Sequence, residues 1–238
     1  MVEAREKCRV VATSELFADV SPLVREAVLA SAQGRTYACR QQMFLIDDPV
    51  EEIFLMVEGC AKVTQVTRNG REVVLRIAAP GEVASELGLE PGSAHTSTAL
   101  ALQECTVLVW TAGAFETALT RFAVLQRNVN SILRRRIVDF QNRVARISSN
   151  EVASKRLAHE LVCLAHQVGQ KVNSHIEIKI AQEALAQMTA MGLFTLNRIL
   201  SSWENQGFLR VHRQCIEIHD SLGLSGLRSL SEHRAPSK

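Results

Sequence analysis

The sequence predicts an α+β chain: an N-terminal β-barrel or jelly-roll domain, one long dimerisation helix, and a C-terminal winged helix–turn–helix. Three observations carry this expectation. Residues 36–110 are a succession of short apolar runs separated by turn residues, with no helical stretch between them. Closely spaced strands without intervening helices fold into a small barrel or sandwich. A heptad seam then runs through 121–149, and beyond it the order helix, strand, two short helices around a tight turn, and hairpin describes a winged module. The expected divisions are 1–120, 121–149 and 150–238.

Taken in order, SELFADVSPLVREAVLASA from Ser14 reads as short helices. In FLIDDPVEEIFLMVEGCAKVTQVTRNGREVVLRI, strand-length apolar runs are broken by Asp-Pro, Glu-Gly and Asn-Gly. Asn69-Gly70 predicts a two-residue type I′ hairpin turn, because both central residues of that turn need positive φ. Pro80-Gly81 marks a further turn, TALALQECTVLVW continues the strands to Trp110, and AFETALTRFAVLQ from Ala114 returns to helix. Leu133, Ile137, Phe140, Val144 and Ile147 are then spaced 4, 3, 4, 3, and Val129 extends the seam backwards by four. Such a stripe buries either against its own domain or against a parallel partner helix. The narrow a/d pattern favours the partner and hence a homodimer. Ser148–Asn150 breaks the seam and is the expected hinge. KRLAHELVCLAHQVG is an amphipathic helix, HIEIKI an alternating strand, AQEALAQMTAM and LFTLNRILSSWENQGF two helices, and LRVHRQCIEIHD a hairpin. The tail from Ser221 reads as a weakly ordered end.

Composition narrows the function classes. With 47% hydrophobic and 22% charged residues in 238, the chain has the make-up of a globular protein rather than a disordered one. No apolar run approaches the roughly 20 residues of a membrane helix, and MVEAREKCRV is no signal segment. A cytoplasmic protein without a membrane partner is expected. Cys8, Cys39, Cys60, Cys105, Cys163 and Cys215 stand alone, with no CxxC pair, so free thiols and no metal site are expected. The net charge is only +2, but Arg121, Arg127, Arg134, Arg135, Arg136, Arg143 and Arg146 face a single acid, Asp139, between 121 and 146. This is a solvated helix face that also supplies a positive field near a polyanion. No HExxH, GxSxG, P-loop or dinucleotide fingerprint occurs, so no enzyme is expected.

The order of elements and three sequence pieces together resemble the Crp–Fnr family of bacterial transcription regulators, across roughly residues 14–220. The first is DPVEEIFLMVEGCAKV with REVVLRIAAPGEV, which has the family's turn glycines at Gly59 and Gly81. SELGLEPGSAHTSTAL occupies the place of the phosphate-binding cassette. The most specific piece, IAQEALAQMTAMGLFTLNRIL, lines up without gaps on the family's helix–turn–helix, usually LTQEELAxLVGxSRETVSRxL. The resemblance implies a homodimer with an effector-sensing barrel that binds a two-fold site on double-stranded DNA, with RNA polymerase as a partner if it activates.

Departures from the family pattern bear on the effector. In cyclic-nucleotide binders an arginine fork and backbone NH groups neutralise the phosphate, while a glutamate takes the ribose hydroxyl. Ser85-Glu86-Leu87 keeps the glutamate, but His95 and Thr96 stand at the Arg-Ser positions, and the adenine-reading pair of the long helix falls at Phe140 and Gln141. These seven residues form the expected effector pocket. A neutral imidazole does not replace a bidentate guanidinium, which argues against cyclic-nucleotide control. An iron–sulfur cluster is not expected, because Cys8 is the only cysteine before Cys39. Haem ligation by His95, with Cys60 or Cys105 behind it, stays open beside the reading of His95 as a partly exposed loop residue. A redox switch through Cys39, Cys60 or Cys105 also stays open. The effector itself is unknown.

In the helix–turn–helix, Leu193 and Phe194 replace the family's base-reading Arg-Glu pair. Leucine and phenylalanine can touch a thymine methyl or wedge against a base step, but they cannot pair with guanine or cytosine edges. The expected DNA-binding set is Leu193, Phe194, Thr195, Asn197, Arg198, Ser201, Arg210 and Arg213. Leu196, Ile199, Leu200 and Trp203 form the opposite, core-facing stripe. Ala181 and Gly192 replace capping residues at the two helix starts. The alternative is a drifted family member acting as a ligand-binding or protein-interaction module, whose apolar tip buries against the sensor domain or another protein, with weak or no sequence-specific DNA binding.

Overall fold

The computed structural model describes residues 10–88, 92–148 and 152–229. The chain divides into two compact units, one ending at Asn142 and one beginning at Arg143.

The first unit holds seven strands: β1 (Gln33–Tyr37), β2 (Gln42–Phe44), β3 (Glu52–Glu58), β4 (Ala61–Val66), β5 (Glu72–Ala78), β6 (Thr98–Ala101) and β7 (Cys105–Thr111). They form two antiparallel sheets, β1-β7-β3 and β2-β6-β4-β5. One core joins them. Tyr37, Phe54, Met56, Val107 and Val109 of the first sheet pack with Phe44, Ala61, Val63, Ala78, Ala99 and Ala101 of the second. This is the expected jelly-roll arrangement.

Strand β3 is buried along its whole middle, which explains why IFLMV is a continuous apolar run rather than an alternating one. Phe54 and Met56 enter the inter-sheet core. Ile53, Leu55 and Val57 face a second core under the helices α1 (Pro22–Leu29), α2 (Ala112–Arg121) and the start of α3 (Ala123–Ser148). Trp110 sits in this second core and donates from Nε1 to the Val28 carbonyl at 2.9 Å.

Two turns follow their glycines in different ways. At 67–71 the Asn69-Gly70 turn is not the expected type I′, because Gly70 has φ +73° while Asn69 is not in the positive-φ region. Gly70 N donates to Thr67 O at 2.8 Å and Thr67 N to Arg71 O at 2.9 Å. The loop is therefore one residue longer, a tight turn closed by a left-handed glycine in the bulge position. At 79–82 the expected turn is present. Pro80 precedes Gly81 at φ +87°, and Glu82 N donates to Ala79 O at 2.9 Å, the type II form.

Helix α3 starts after an extended break at Phe122. Its first half is clamped to its own unit. Leu125, Val129 and Ile132 are buried in the second core, and the Asn128 amide donates to the carbonyls of Leu16 and Ala18. The expected seam is thus divided. Val129 is fully buried in its own domain, and Leu133 packs partly against the same core. Ile137, Phe140, Val144 and Ile147 are exposed.

The second unit holds α4 (Ala153–Gln167), β8 (Gln170–Val172), β9 (His175–Ile178), α5 (Gln182–Met188), α6 (Leu193–Asn205), β10 (Leu209–Val211), β11 (Ile216–Ile218) and α7 (Ser221–Ser229). The sequence-predicted strand and hairpin join into one four-stranded antiparallel sheet, β10-β11-β9-β8, with β8 as an additional edge. The tail differs from expectation over 221–229, and residues 230–238 lie outside the described residues. Residues 221–229 form a helix, with Asp220 Oδ1 accepting from Gly223 N at 2.8 Å and Leu224 fully buried. An aspartate cap and an apolar anchor are enough to hold it. Of the expected hinge, Ser148 is the last residue of α3, and Ser149 and Asn150 lie outside the described residues, as does Cys8.

Candidate functional site

The cassette is built on its own carboxylate. Glu86 Oε1 accepts from Thr96 N at 3.0 Å, Thr96 Oγ1 at 2.7 Å and Ser97 Oγ at 2.8 Å, and Oε2 lies 2.6 Å from His95 Nδ1. Burial works against the charged carboxylate, but hydrogen bonds from Thr96, His95 and Ser97 outweigh it and hold its pKa below the usual value. His95 is not the partly exposed loop residue of one sequence reading. It is 2% exposed, its ring stacks on Phe44 at 4.0 Å between centroids, and its backbone bonds to Asp47 and Asp48. The site therefore pairs the retained glutamate with the very side chain that replaces the family's arginine.

The other cassette residues have structural partners. Ser85 is fully buried and its hydroxyl accepts from Phe54 N at 3.1 Å. Leu87 packs in the second core. Two arginines approach from behind. Arg76 on β5 donates to the carbonyls of Val83 and Ala84 at 3.0 and 2.6 Å, and Arg136 on α3 donates to those of Val83 and Ser85. Burial pushes the Arg76 pKa down to about 9, aided by the nearby Arg136 charge, which leaves it cationic at neutral pH. Burial also lowers that of Arg136. Among the described residues no carboxylate makes a salt bridge with either. Phe140 and Gln141, expected in the pocket, are exposed on α3.

The carboxylate that a ribose hydroxyl would need already accepts from residues 95–97, and the position that carries an arginine in cyclic-nucleotide binders holds a buried imidazole rather than a guanidinium fork. Glu86 holds His95 at Nδ1 and Phe44 stacks on one face of its ring. Among the described residues all five cysteines are free thiols. Burial pushes Cys105 up to about 11, which keeps it protonated and unreactive.

In the second unit, α5 and α6 meet through a turn whose geometry depends on Ala190. Met191 N donates to Ala186 O and Ala190 N to Gln187 O, with Ala190 at φ +52°. These are the bonds of a Schellman cap with alanine where glycine is favoured. Sequence reading missed this position, although the alignment placed Ala190 on the family's turn glycine. Neither Ala181 nor Gly192 makes a side-chain cap bond. Leu196, Leu200 and Trp203 are buried, as the core-facing stripe requires. On the other side Leu193, Phe194, Asn197, Arg198 and Ser201 are exposed, with Phe194 84% exposed, and Thr195 is intermediate. Arg210 and Arg213 are exposed on β10 and the turn that follows it.

Comparison with known proteins agrees with both halves of this description. Residues 34–122 match the family model of the cyclic nucleotide-binding domain, and residues 155–227 match that of the Crp-like helix-turn-helix domain. A CRP-like cAMP-activated global transcriptional regulator of Mycobacterium tuberculosis is 22% identical over 214 residues, covering 89% of this chain and 95% of that protein. The structure of FixK2 from Bradyrhizobium japonicum superposes with a TM-score of 0.72 at 19% identity, covering 84% of this chain and 99% of the other. The c-di-GMP responsive global regulator CLP of Xanthomonas campestris gives 0.69 at 18% identity, covering 84% and 99%. No helix among the described residues is long and apolar enough to cross a membrane. With a cyclic nucleotide-binding-type domain followed by a Crp-like helix–turn–helix, the chain belongs to the Crp–Fnr family of transcription regulators.

Proposed function

We propose that this is a homodimeric, effector-responsive regulator that binds a two-fold promoter site, acts in the cytoplasm, and is not controlled by cyclic AMP. The observation that carries the DNA reading is the outer face of α6. It presents Phe194, Asn197, Arg198 and Ser201 to solvent beside the exposed Arg210 and Arg213, while its inner face is fully packed. Arginines hold phosphates and set the register, Asn197 reaches a base edge or phosphate, and Leu193 and Phe194 make apolar contact in an A·T-rich groove. The dimer reading rests on the exposed stripe Ile137, Phe140, Val144 and Ile147. Apolar side chains at heptad spacing on a solvent-facing helix match a parallel partner helix.

The link between effector and DNA is a population shift between two dimer states, and an effector acts only by binding them unequally. Arg136 gives that shift a physical route, because it ties α3 directly to the cassette backbone at Val83 and Ser85. An effector that rearranges residues 83–86 changes the footing of the long helix. The Glu86–His95 pair makes a cyclic phosphate a poor candidate for that effector.

A second reading is favoured by Phe194 alone. So large an exposed aromatic surface also suits a protein partner, with DNA reading lost. Selection from a random duplex pool at moderate salt separates the two. Enrichment of a two-fold sequence, weakened by Phe194→Ala, supports the regulator. No enrichment, with cell extract supplied as a source of effector, overturns it in favour of the protein-docking module.

A further inference from the structure

The solvent face of the wing sheet carries a group of side chains that the regulator reading does not use. Strict alternation in HIEI and CIEIH puts Ile176, Ile178, Ile216 and Ile218 on one face, and His175, Glu177, Cys215, Glu217 and His219 on the other. The register places Glu177 directly across from Glu217. Continued by one step on each strand, it sets His175 across from His219, and their rings lie 5.2 Å apart. Two carboxylates directly opposite one another repel and destabilise a strand pair. Three imidazoles answer them. His175 Nε2 is 3.4 Å from Glu177 Oε1, His219 Nε2 is 3.3 Å from Glu217 Oε2, and His212 Nε2 is 2.8 Å from Glu217 Oε1. Arg210 stands across from Glu217 on β10, yet among the described residues no ion pair joins them.

We infer that this face is a binding site for a divalent transition-metal ion of the zinc type, held by His175, Glu177 and Glu217, with His219 as the fourth donor. One ligand atom each from His175, Glu177 and Glu217 already lies within 4.8 Å of the other two. Tetrahedral coordination with bonds of about 2.0–2.1 Å needs donor separations of roughly 3.3–3.4 Å. The His175–Glu177 and His219–Glu217 spacings have that value now, and rotation about the side-chain bonds of these half-buried residues closes the rest. Imidazole nitrogen with carboxylate oxygen suits zinc, nickel and copper rather than magnesium or calcium, which take oxygen alone. The ion would relieve the Glu177–Glu217 repulsion and tie β9 to β11, so it stabilises the wing as well as occupying it.

The full chain, stripped with chelator, is titrated with Zn²⁺ against a chromophoric competitor, and with Co²⁺ for its visible absorption. One equivalent per chain is expected, with a rise in melting temperature. His175→Ala and the isosteric Glu177→Gln are each expected to weaken Zn²⁺ binding on the order of tenfold or more. Circular dichroism checks that both fold, and Glu177→Gln alone decides the matter if His175→Ala does not. Cys163→Ser provides the control, since Cys163 and His159 on α4 form a separate imidazole–thiol pair at 3.4 Å. Binding that survives both wing variants, or that is lost in Cys163→Ser, overturns the assignment, as does the absence of a Zn²⁺-dependent melting shift.

Discussion

Glu86 shows how one substitution elsewhere redefines a retained residue. With His95 in place of an arginine, the glutamate turns inward and accepts four hydrogen bonds from 95–97. Glu86→Gln keeps the shape but sets an NH₂ group against donors, and is expected to cost about 1–3 kcal/mol. The pH dependence has a defined sign. The folded pKa of Glu86 lies below its ordinary 4.5, so its contribution is present above that value and is lost as pH falls through the folded pKa. Urea midpoints of the two proteins should therefore differ near neutral pH and converge as pH falls below 4.5 through the folded pKa; a constant gap would refute the charged role. Ala190 makes the opposite kind of prediction. A side chain at φ +52° is strained, and Ala190→Gly is expected to stabilise the protein by about 0.5–1 kcal/mol despite the greater freedom of the unfolded chain. A lower melting temperature would show that the cap is not strained. Both residues stand in quotable motifs, yet neither geometry was legible in them. The family resemblance puts His95 at an arginine position, but does not show that it stacks on Phe44. The left-handed turn at 190 was visible only through the glycine it lacks.

At the scale of elements, the long helix has two sections with different duties. Its first section is fixed by Leu125, Asn128, Val129 and Ile132, and its exposed apolar stripe begins at Ile137. A four-residue step carries the apolar pattern back from Leu133 to Val129, which is why the sequence alone joined these two to the seam. Only the barrel's surface decides which positions it covers. The double variant Ile137→Asp, Phe140→Asp is expected to leave the barrel folded, since both side chains are 58% exposed, and to convert a dimer to a monomer in sedimentation. A dimer that persists would move the interface elsewhere. Val129→Ala is instead expected to cost about 1–3 kcal/mol of unfolding free energy without changing the association state, by lost burial and a residual cavity. The strands were legible for a different reason. Their lengths and turn residues are local properties, so β1 to β7 fall close to the expected 36–110 block. Edge strand β8 and helix α7 were not, because three residues and a capped apolar turn give little periodicity to detect.

At the scale of the molecule, a net charge of +2 is too small for the chain as a whole to act as a general polycation, so its attraction to DNA must come from where the arginines stand. Arg198, Arg210 and Arg213 are exposed on and beside the recognition face, while Arg76 and Arg136 are committed to backbone carbonyls within the barrel. Counterion release makes this distribution measurable. Each phosphate neutralised contributes about −0.9 to the slope of log affinity against log salt on duplex DNA. A two-fold complex uses every residue twice, so Arg210→Ala is expected to reduce the steepness of the slope by about 1.8, whereas a single subunit on DNA would lose only about 0.9. One titration of wild type and variant thus tests the phosphate role of Arg210 and the symmetry of the complex together. An unchanged slope would remove Arg210 from the interface. A loss near the smaller value would keep the contact but discard the two-fold complex, and with it the reason for reading the exposed stripe of α3 as a dimer seam.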